Sequence, residues 1–209
     1  MRKIPTLFVR DEEDRRYVTD RVLPGCEWAV AGEVTATRKL DGTCVMCDDD
    51  GRWWARREVK PGKTSPANFI EIGFDETTGK TVGWEPIEQS AFAKFHAEAV
   101  EHIEAIGEDE RHIPWTAGTF ELVGPKVNGN PERLDGHRLL RHSTAEADPV
   151  LTQLRPGLLT FEVIRDRVLE LGFLGWEGVV WHHTDGRMAK LKVRDLRGPE
   201  DAKATGGNA

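Results

Sequence analysis

The stretch from Val34 to Arg57 constrains this chain more than any other, because its short turns commit neighbouring strands to run back against each other. It reads as strand, turn, strand, turn, strand. Val34 to Thr37 is a strand, and the charged turn Arg38-Lys39-Leu40-Asp41-Gly42 follows. Asp48-Asp49-Asp50-Gly51 is a hairpin signal between runs of β-favouring residues that include Trp53 and Trp54. Loops of this length join antiparallel strands, whereas a parallel pair needs a long crossover. Four further strands are expected: Thr116 to Val123, ended by Gly124-Pro125; a short one from His137 to His142; and a hairpin of Glu177 to His183 with Arg187 to Val193. Two helices complete the pattern. Glu88 to Ile106 places Phe92, Phe95, Ala99, Ile103 and Ile106 on one apolar stripe before Gly107. Thr160 caps a second helix, whose stripe is Phe161, Ile164, Val168 and Leu171 and whose stop is Gly172. Met1 to Glu33 is mixed in pattern, its run from Arg10 to Arg16 reads as a solvated charge cluster, and Lys60 to Pro86 reads as a surface excursion. The class is α+β with mostly antiparallel strands.

A chain of 209 residues fits one large domain, expected here over residues 1–197, with a flexible tail over 198–209. Seven Trp and eight Phe supply a core despite an apolar fraction of 38%. The net charge of −7 excludes a surface that is a nucleic-acid footprint throughout, but leaves room for a local basic cleft. No run approaches the ~20 apolar residues of a membrane span, and Arg2 and Lys3 lead into no apolar segment, so a soluble cytoplasmic protein is expected. Cys44 and Cys47 form the single Cys-x-x-Cys, with no second pair at metal-ligand spacing; odd spacing in a strand sends them to opposite faces. Together with Cys26 they are read as buried, inert thiols. His96 and His102 stand six apart and do not share a helix face, which excludes a zinc-protease helix.

Four stretches carry groups suited to chemistry. Lys39 sits two residues before Asp41-Gly42. A lysine is a poor nucleophile at neutral pH, with a reference pKa of about 10.4, unless its surroundings remove its proton. Glu121 and Glu177 each lie among apolar neighbours, and Lys190 and Lys192 stand at i and i+2, on one face of a strand. Taken singly, each suits an ordinary charged turn or the solvent side of a sheet.

The ordered series resembles motifs I, Ia, III, IV and V of the covalent nucleotidyltransferases: ATP-dependent DNA ligases, RNA ligases and mRNA capping enzymes. The series is Lys39-Leu40-Asp41-Gly42, then Arg56, then Glu121, then Glu177-Gly178-Val179-Val180, then Lys190-Leu191-Lys192, and it spans about three quarters of the chain. Within that superfamily, the stretch from Glu121 to Pro131, together with Gly83-Trp84-Glu85-Pro86-Ile87, Trp181-His182 and Thr184-Asp185-Gly186, is similar to the small stand-alone 5′-3′ RNA ligases of vertebrates, bacteria and phages. The resemblance implies an antiparallel-sheet, ATP-grasp-like adenylation domain. No stretch after Lys192 is long enough for the OB-fold domain of the DNA ligase and capping branches.

The resemblance also implies roles. Lys39 would take AMP from ATP; the AMP would pass to an RNA 5′-phosphate, and a 3′-hydroxyl would displace it. Lys190 and Lys192 would place positive charge at the α-phosphate and discourage protonation of Lys39. Arg56, preferred over Arg57, and Arg38 would contact the nucleotide. Glu121 and Glu177 would hold ribose hydroxyls or the waters of Mg²⁺ (or Mn²⁺), and Asp41 would orient the Lys39 turn or bind metal through water. The strand from His137 to His142 departs from the family in having no aromatic residue to stack on adenine. A basic track is expected near Lys126, Arg133, Arg138 and Arg141. Two alternatives stay open: GTP-dependent nucleotidyl transfer of the capping type, and a non-catalytic nucleic-acid-binding module of the same fold.

Overall fold

The computed structural model describes residues 3–32, 34–76, 78–106, 117–153 and 157–197, with backbone alone over 103–106. The expected tail, Gly107 and Thr116 lie outside the described residues. In chain order the elements are β1 (Phe8–Arg10), β2 (Val18–Val22), α1 (Trp28–Ala31), β3 (Val34–Arg38), β4 (Thr43–Cys47), β5 (Trp53–Val59), β6 (Ile70–Asp75), β7 (Lys80–Pro86), α2 (Ala93–Ile106), β8 (Gly118–Val123), β9 (Arg138–Arg141), α3 (Pro149–Gln153), α4 (Phe161–Phe173), β10 (Gly178–His183) and β11 (Met188–Lys192). The chain is α+β, and its sheets are antiparallel. No described helix is long and apolar enough to cross a membrane.

The described residues group into two compact units. The six-strand unit comprises Asp41–Ala145 with Lys3, and its sheet runs β6-β7-β5-β4-β8-β9. Side-chain alternation divides this sheet into two faces. Val45, Cys47, Ala55, Phe120, Leu122 and Leu139 form one face and pack with Ala99, Phe92 and Phe95. Of the apolar stripe read from the sequence, Phe92, Phe95 and Ala99 therefore bury against the sheet. His96 shares this layer, with its ring 4.6 Å from that of Trp53.

The three-strand unit comprises Ile4–Leu40 and the chain from Glu146 onward. Its sheet runs β11-β10-β3, and β1 and β2 form a separate hairpin. Val179 and Trp181 on β10, with Ala189 and Leu191 on β11, meet Ile164, Val168 and Leu171 of α4 in the core. Thr160 caps α4 as expected, accepting a hydrogen bond from the Val163 N–H at 3.4 Å. Asp148, fully buried, accepts from the Leu151 N–H at 2.8 Å at the start of α3 and from Arg167 of α4 at 2.7 Å. Its own N–H donates to the Ala36 carbonyl at 2.8 Å, tying β3 into the same corner.

Several expectations are corrected. Lys60 to Pro86 is not a surface excursion; it contains β6 and β7. β6 is the edge strand, where one flank is solvated and Gly and charged residues are tolerated. β7 lies between β6 and β5, and its Gly83 and Glu85 break the apolar alternation. The helix expected from Glu88 begins instead at Ala93, after a 3₁₀ turn over Ile87–Gln89. His142 leaves β9 for another 3₁₀ turn. Gly172 does not stop α4, which runs to Phe173. That position is glycine because a Cβ there would lie 2.8 Å from the Val193 side chain. Glu177 stands just before β10, and Val193 just after β11.

Candidate active site

In the three-strand unit, strand register assembles a lysine–glutamate–lysine cluster. Gly178 pairs with Lys192 across β10 and β11, and its carbonyl accepts the Lys39 N–H at 2.9 Å where the chain leaves β3. Lys39 and Lys192 are thus brought to the same end of the sheet, one from each flank, with Glu177 at the root of the central strand. The Glu177 carboxylate uses one oxygen for Lys39 Nζ and the other for Lys192 Nζ. Lys39 Nζ also donates to the Leu40 carbonyl at 3.1 Å. Burial would raise the Glu177 carboxyl, but the ammonium groups of Lys39 and Lys192 outweigh it and hold the group below the usual carboxylate range.

The spacing of this cluster depends on a missing side chain. A Cβ on Gly178 would stand 2.2 Å from the Leu191 carbonyl oxygen and 2.7 Å from the Lys192 Cα. The glycine that follows Glu177 is what lets the strand bearing Lys192 approach so closely.

Lys190 shares the face of Lys192, and the alternating residues Ala189 and Leu191 are buried. Its backbone is bonded on the other edge, receiving the Leu7 N–H at 2.8 Å and donating to Pro5 at 2.9 Å. Arg38 ends β3, and its guanidinium donates to the Gly175 carbonyl at 3.4 Å. At the far end of Lys192, the buried carboxylate of Asp195 accepts the Lys192 N–H at 3.2 Å and Arg10 at 2.9 Å. Part of the run from Arg10 to Arg16, read as solvated, is therefore an anchor for the strand that carries the lysines.

The six-strand unit holds the remaining predicted residues, Asp41, Arg56 and Glu121. Register places Cys44 opposite Glu121 and Trp84 opposite Arg56. One step beyond the pair of Val45 with Ala55, the same register sets Arg56 beside Cys44. Arg56, Cys44 and Glu121 thus form a row across β5, β4 and β8, on the face opposite the α2 core. Arg56 ion-pairs with Glu58 at 3.1 Å, which also takes Lys80 at 3.0 Å; Arg57 points to the other face, 3.8 Å from Glu85. Glu121 is nearly buried. One of its oxygens accepts the Gly42 N–H at 3.0 Å, and the other meets His142 Nε2 at 2.9 Å. Gly42 has the same constraint as Gly178, since a Cβ would fall 2.2 Å from the Leu122 carbonyl oxygen.

Asp41 is held by a residue not singled out from the sequence. Asn128, in a left-handed conformation (φ 46°), donates to the Asp41 carboxylate at 3.2 Å and to the Gly42 carbonyl at 2.6 Å. Glu132 accepts the Asp41 N–H at 3.4 Å. The stretch after Glu121 thus works as a clamp on the Asp-Gly turn. The signal available in the sequence was the unusual density of Asn and Gly over Val127 to Asn130, which supplies residues tolerant of positive φ. His142 was also missed as a partner of Glu121, having been read as a strand end. Of the basic track, Lys126 and Arg133 are exposed, Arg138 is 3.7 Å from Asp135, and Arg141 lies over the Phe120 ring at 5.1 Å.

Neither Glu177 nor Glu121 offers a ready seat for Mg²⁺, which prefers oxygen ligands and keeps much of its water. Both Glu177 oxygens are held by ammonium groups, and the two Glu121 oxygens by an N–H and an imidazole.

No protein-family model matches the chain. Among curated proteins, the chain is 25% identical to RNA ligase 1 of Danio rerio, over 93% of this chain and 80% of that protein. RNA ligase 1 of Rattus norvegicus and of Mus musculus match at the same identity and the same coverage. The chain is thus a distant relative of RNA ligases.

Proposed function

We propose that this protein is an ATP-dependent RNA ligase of the nucleotidyltransferase type, acting through AMP carried on Lys39. The observation that carries the reading is the cluster in which one carboxylate meets both Lys39 and Lys192; the relationship to RNA ligase 1 gives that cluster its chemical class. Lys39 Nζ attacks the α-phosphorus of ATP, a P–N bond forms, and the bond to the pyrophosphate leaving group breaks. Attack requires an unprotonated amine, and Glu177 is the group already in contact with Nζ that can receive the proton. Lys192 and Lys190 then face the charge that develops on the phosphate oxygens. In the second step an RNA 5′-phosphate oxygen attacks the same phosphorus and releases the lysine. In the third a 3′-hydroxyl attacks the 5′-phosphate, a phosphodiester forms, and AMP leaves. Arg56, Arg38 and Glu121 contribute nucleotide contacts in this reading, and Asp41 orients the turn. Mg²⁺ would arrive on the nucleotide's own phosphates to offset their charge.

The test is labelling of the purified protein with α-labelled ATP, GTP and NAD side by side, followed by denaturing electrophoresis. Label from ATP that survives denaturation, and its loss in Lys39→Ala, is expected, together with joining of 5′-phosphorylated RNA strands. Label from GTP alone would select capping-type transfer. Strand binding without any label would leave a non-catalytic nucleic-acid-binding module.

A further inference from the structure

On the face of the six-strand sheet opposite the α2 core, Glu121, to which the ligase reading gives a nucleotide contact, stands with two groups which that reading leaves unused, Cys44 and His142. Cys44 Sγ, a Glu121 carboxylate oxygen and a His142 ring nitrogen all lie within 4.8 Å of one another. Three separate parts of the chain supply them: β4, β8 and the turn after β9. Sequence spacing could not reveal the group, because register rather than proximity in the chain brings it together.

We propose that Cys44, Glu121 and His142 form a binding site for a borderline-soft divalent cation of the zinc type. The donors decide the metal. Thiolate and imidazole select Zn²⁺ or Co²⁺ and are poor partners for Mg²⁺ or Ca²⁺, which prefer oxygen. The geometry is close to what such an ion needs. His142 Nε2 and Glu121 Oε2 are 2.9 Å apart, whereas tetrahedral zinc with bonds near 2.0–2.1 Å sets its N and O ligands about 3.3 Å apart. The thiol has to approach by at most about 1 Å to complete the set.

The surrounding bonds already orient both first ligands. His142 Nδ1 is 3.0 Å from Thr119 Oγ1 while Nε2 faces Glu121 Oε2, so a metal entering between those two atoms takes Nε2 with Nδ1 still held by Thr119. The second Glu121 oxygen is occupied by the Gly42 N–H. Partners of this kind fix ring tautomer and carboxylate direction at metal sites. On binding, the Cys44 thiol releases its proton to solvent, a Zn–S bond forms, and His142 coordinates as the neutral ring. Three protein ligands leave a fourth position for water or a substrate oxygen. Cys47, three residues on, faces the α2 core and cannot take part. Zinc binding here stands whether or not Lys39 accepts a nucleotide.

The experiment is a titration of metal-stripped, full-length protein with Co²⁺, followed by displacement with Zn²⁺. A thiolate-to-cobalt charge-transfer band at one equivalent is expected. The band should persist in millimolar Mg²⁺ and in Cys26→Ser and Cys47→Ser, and disappear in Cys44→Ser. Thr119→Val should weaken zinc binding by about tenfold or more, the usual cost of losing an outer partner. X-ray absorption at the zinc edge of the unsubstituted protein gives a reading independent of how the variants fold, and one sulfur scatterer among nitrogen and oxygen neighbours is expected. No charge-transfer band, a band retained in Cys44→Ser, or a zinc shell without sulfur would overturn the proposal.

Discussion

Glu177 is the residue on which the lysine cluster turns. Its carboxylate compensates two ammonium groups at once, and removing it leaves two partly buried positive charges unpaired. In Glu177→Gln, labelling by ATP is expected to fall by about 100-fold or more, as for loss of a general base. The stability effect carries a pH signature. The folded-state carboxyl lies below the ordinary value of 4.5, so its contribution is fully present above pH 4.5 and is lost as the pH falls through the lowered value. Urea unfolding of the native protein and of Glu177→Gln should therefore differ by a constant amount near neutrality, and the difference should shrink in acid. His96 gives a second acid-side effect by a different route. Burial lowers its pKa from 6.5 to about 4, against a small opposite pull from Glu88, and its Nε2 is buried without a hydrogen-bond partner. Below pH 6.5 the unfolded chain takes a proton that the folded chain refuses, so stability falls between 6.5 and about 4, by up to about 3 kcal/mol. His96→Phe should flatten that limb of the stability curve, measured by the same unfolding series.

Among the elements, those with strong periodicity were legible. The α4 stripe, the described part of the α2 stripe and the hairpins β4–β5 and β10–β11 lie where the sequence put them, because alternation and helical period each demand one buried face. β3 does not run back against β4 but pairs with β10. β6 was hidden by its place at the sheet edge, and both β6 and β7 by Gly73, Gly83 and several charged side chains that interrupt the pattern. Glycines misled in the opposite direction. Gly172 read as a terminator, yet it is a contact residue under Val193, and a single sequence does not distinguish the two. Gly178 is the clearest contact glycine. Gly178→Ala would force the Leu191 backbone away and is expected to cost about 1–3 kcal/mol, as overpacking does, and to reduce nucleotide labelling more than binding. Thermal melts and the labelling assay separate those two losses.

Over the whole molecule, the motif series was legible as an order of residues, but the company each keeps was not. The sequence expected Lys190 and Lys192 to act on Lys39 by repulsion; Glu177 is the group that touches both Lys39 and Lys192. The joining of Cys44 and His142 with Glu121 had no local signal, since the three come from distant parts of the chain, and the Asn and Gly density around Asn128 marked a turn without naming its partner. That distance has a consequence for how the protein comes into being. Thr37 on β3 bonds to Val180 on β10, which is 143 residues later. During synthesis the intervening stretch from Asp41 to Ala145 can be finished and packed while the strand leading to Lys39 waits without its neighbour. A nascent chain therefore carries the lysine long before the carboxylate and the second ammonium that define its surroundings. On the ribosome the cluster stays incomplete until Lys192 has emerged.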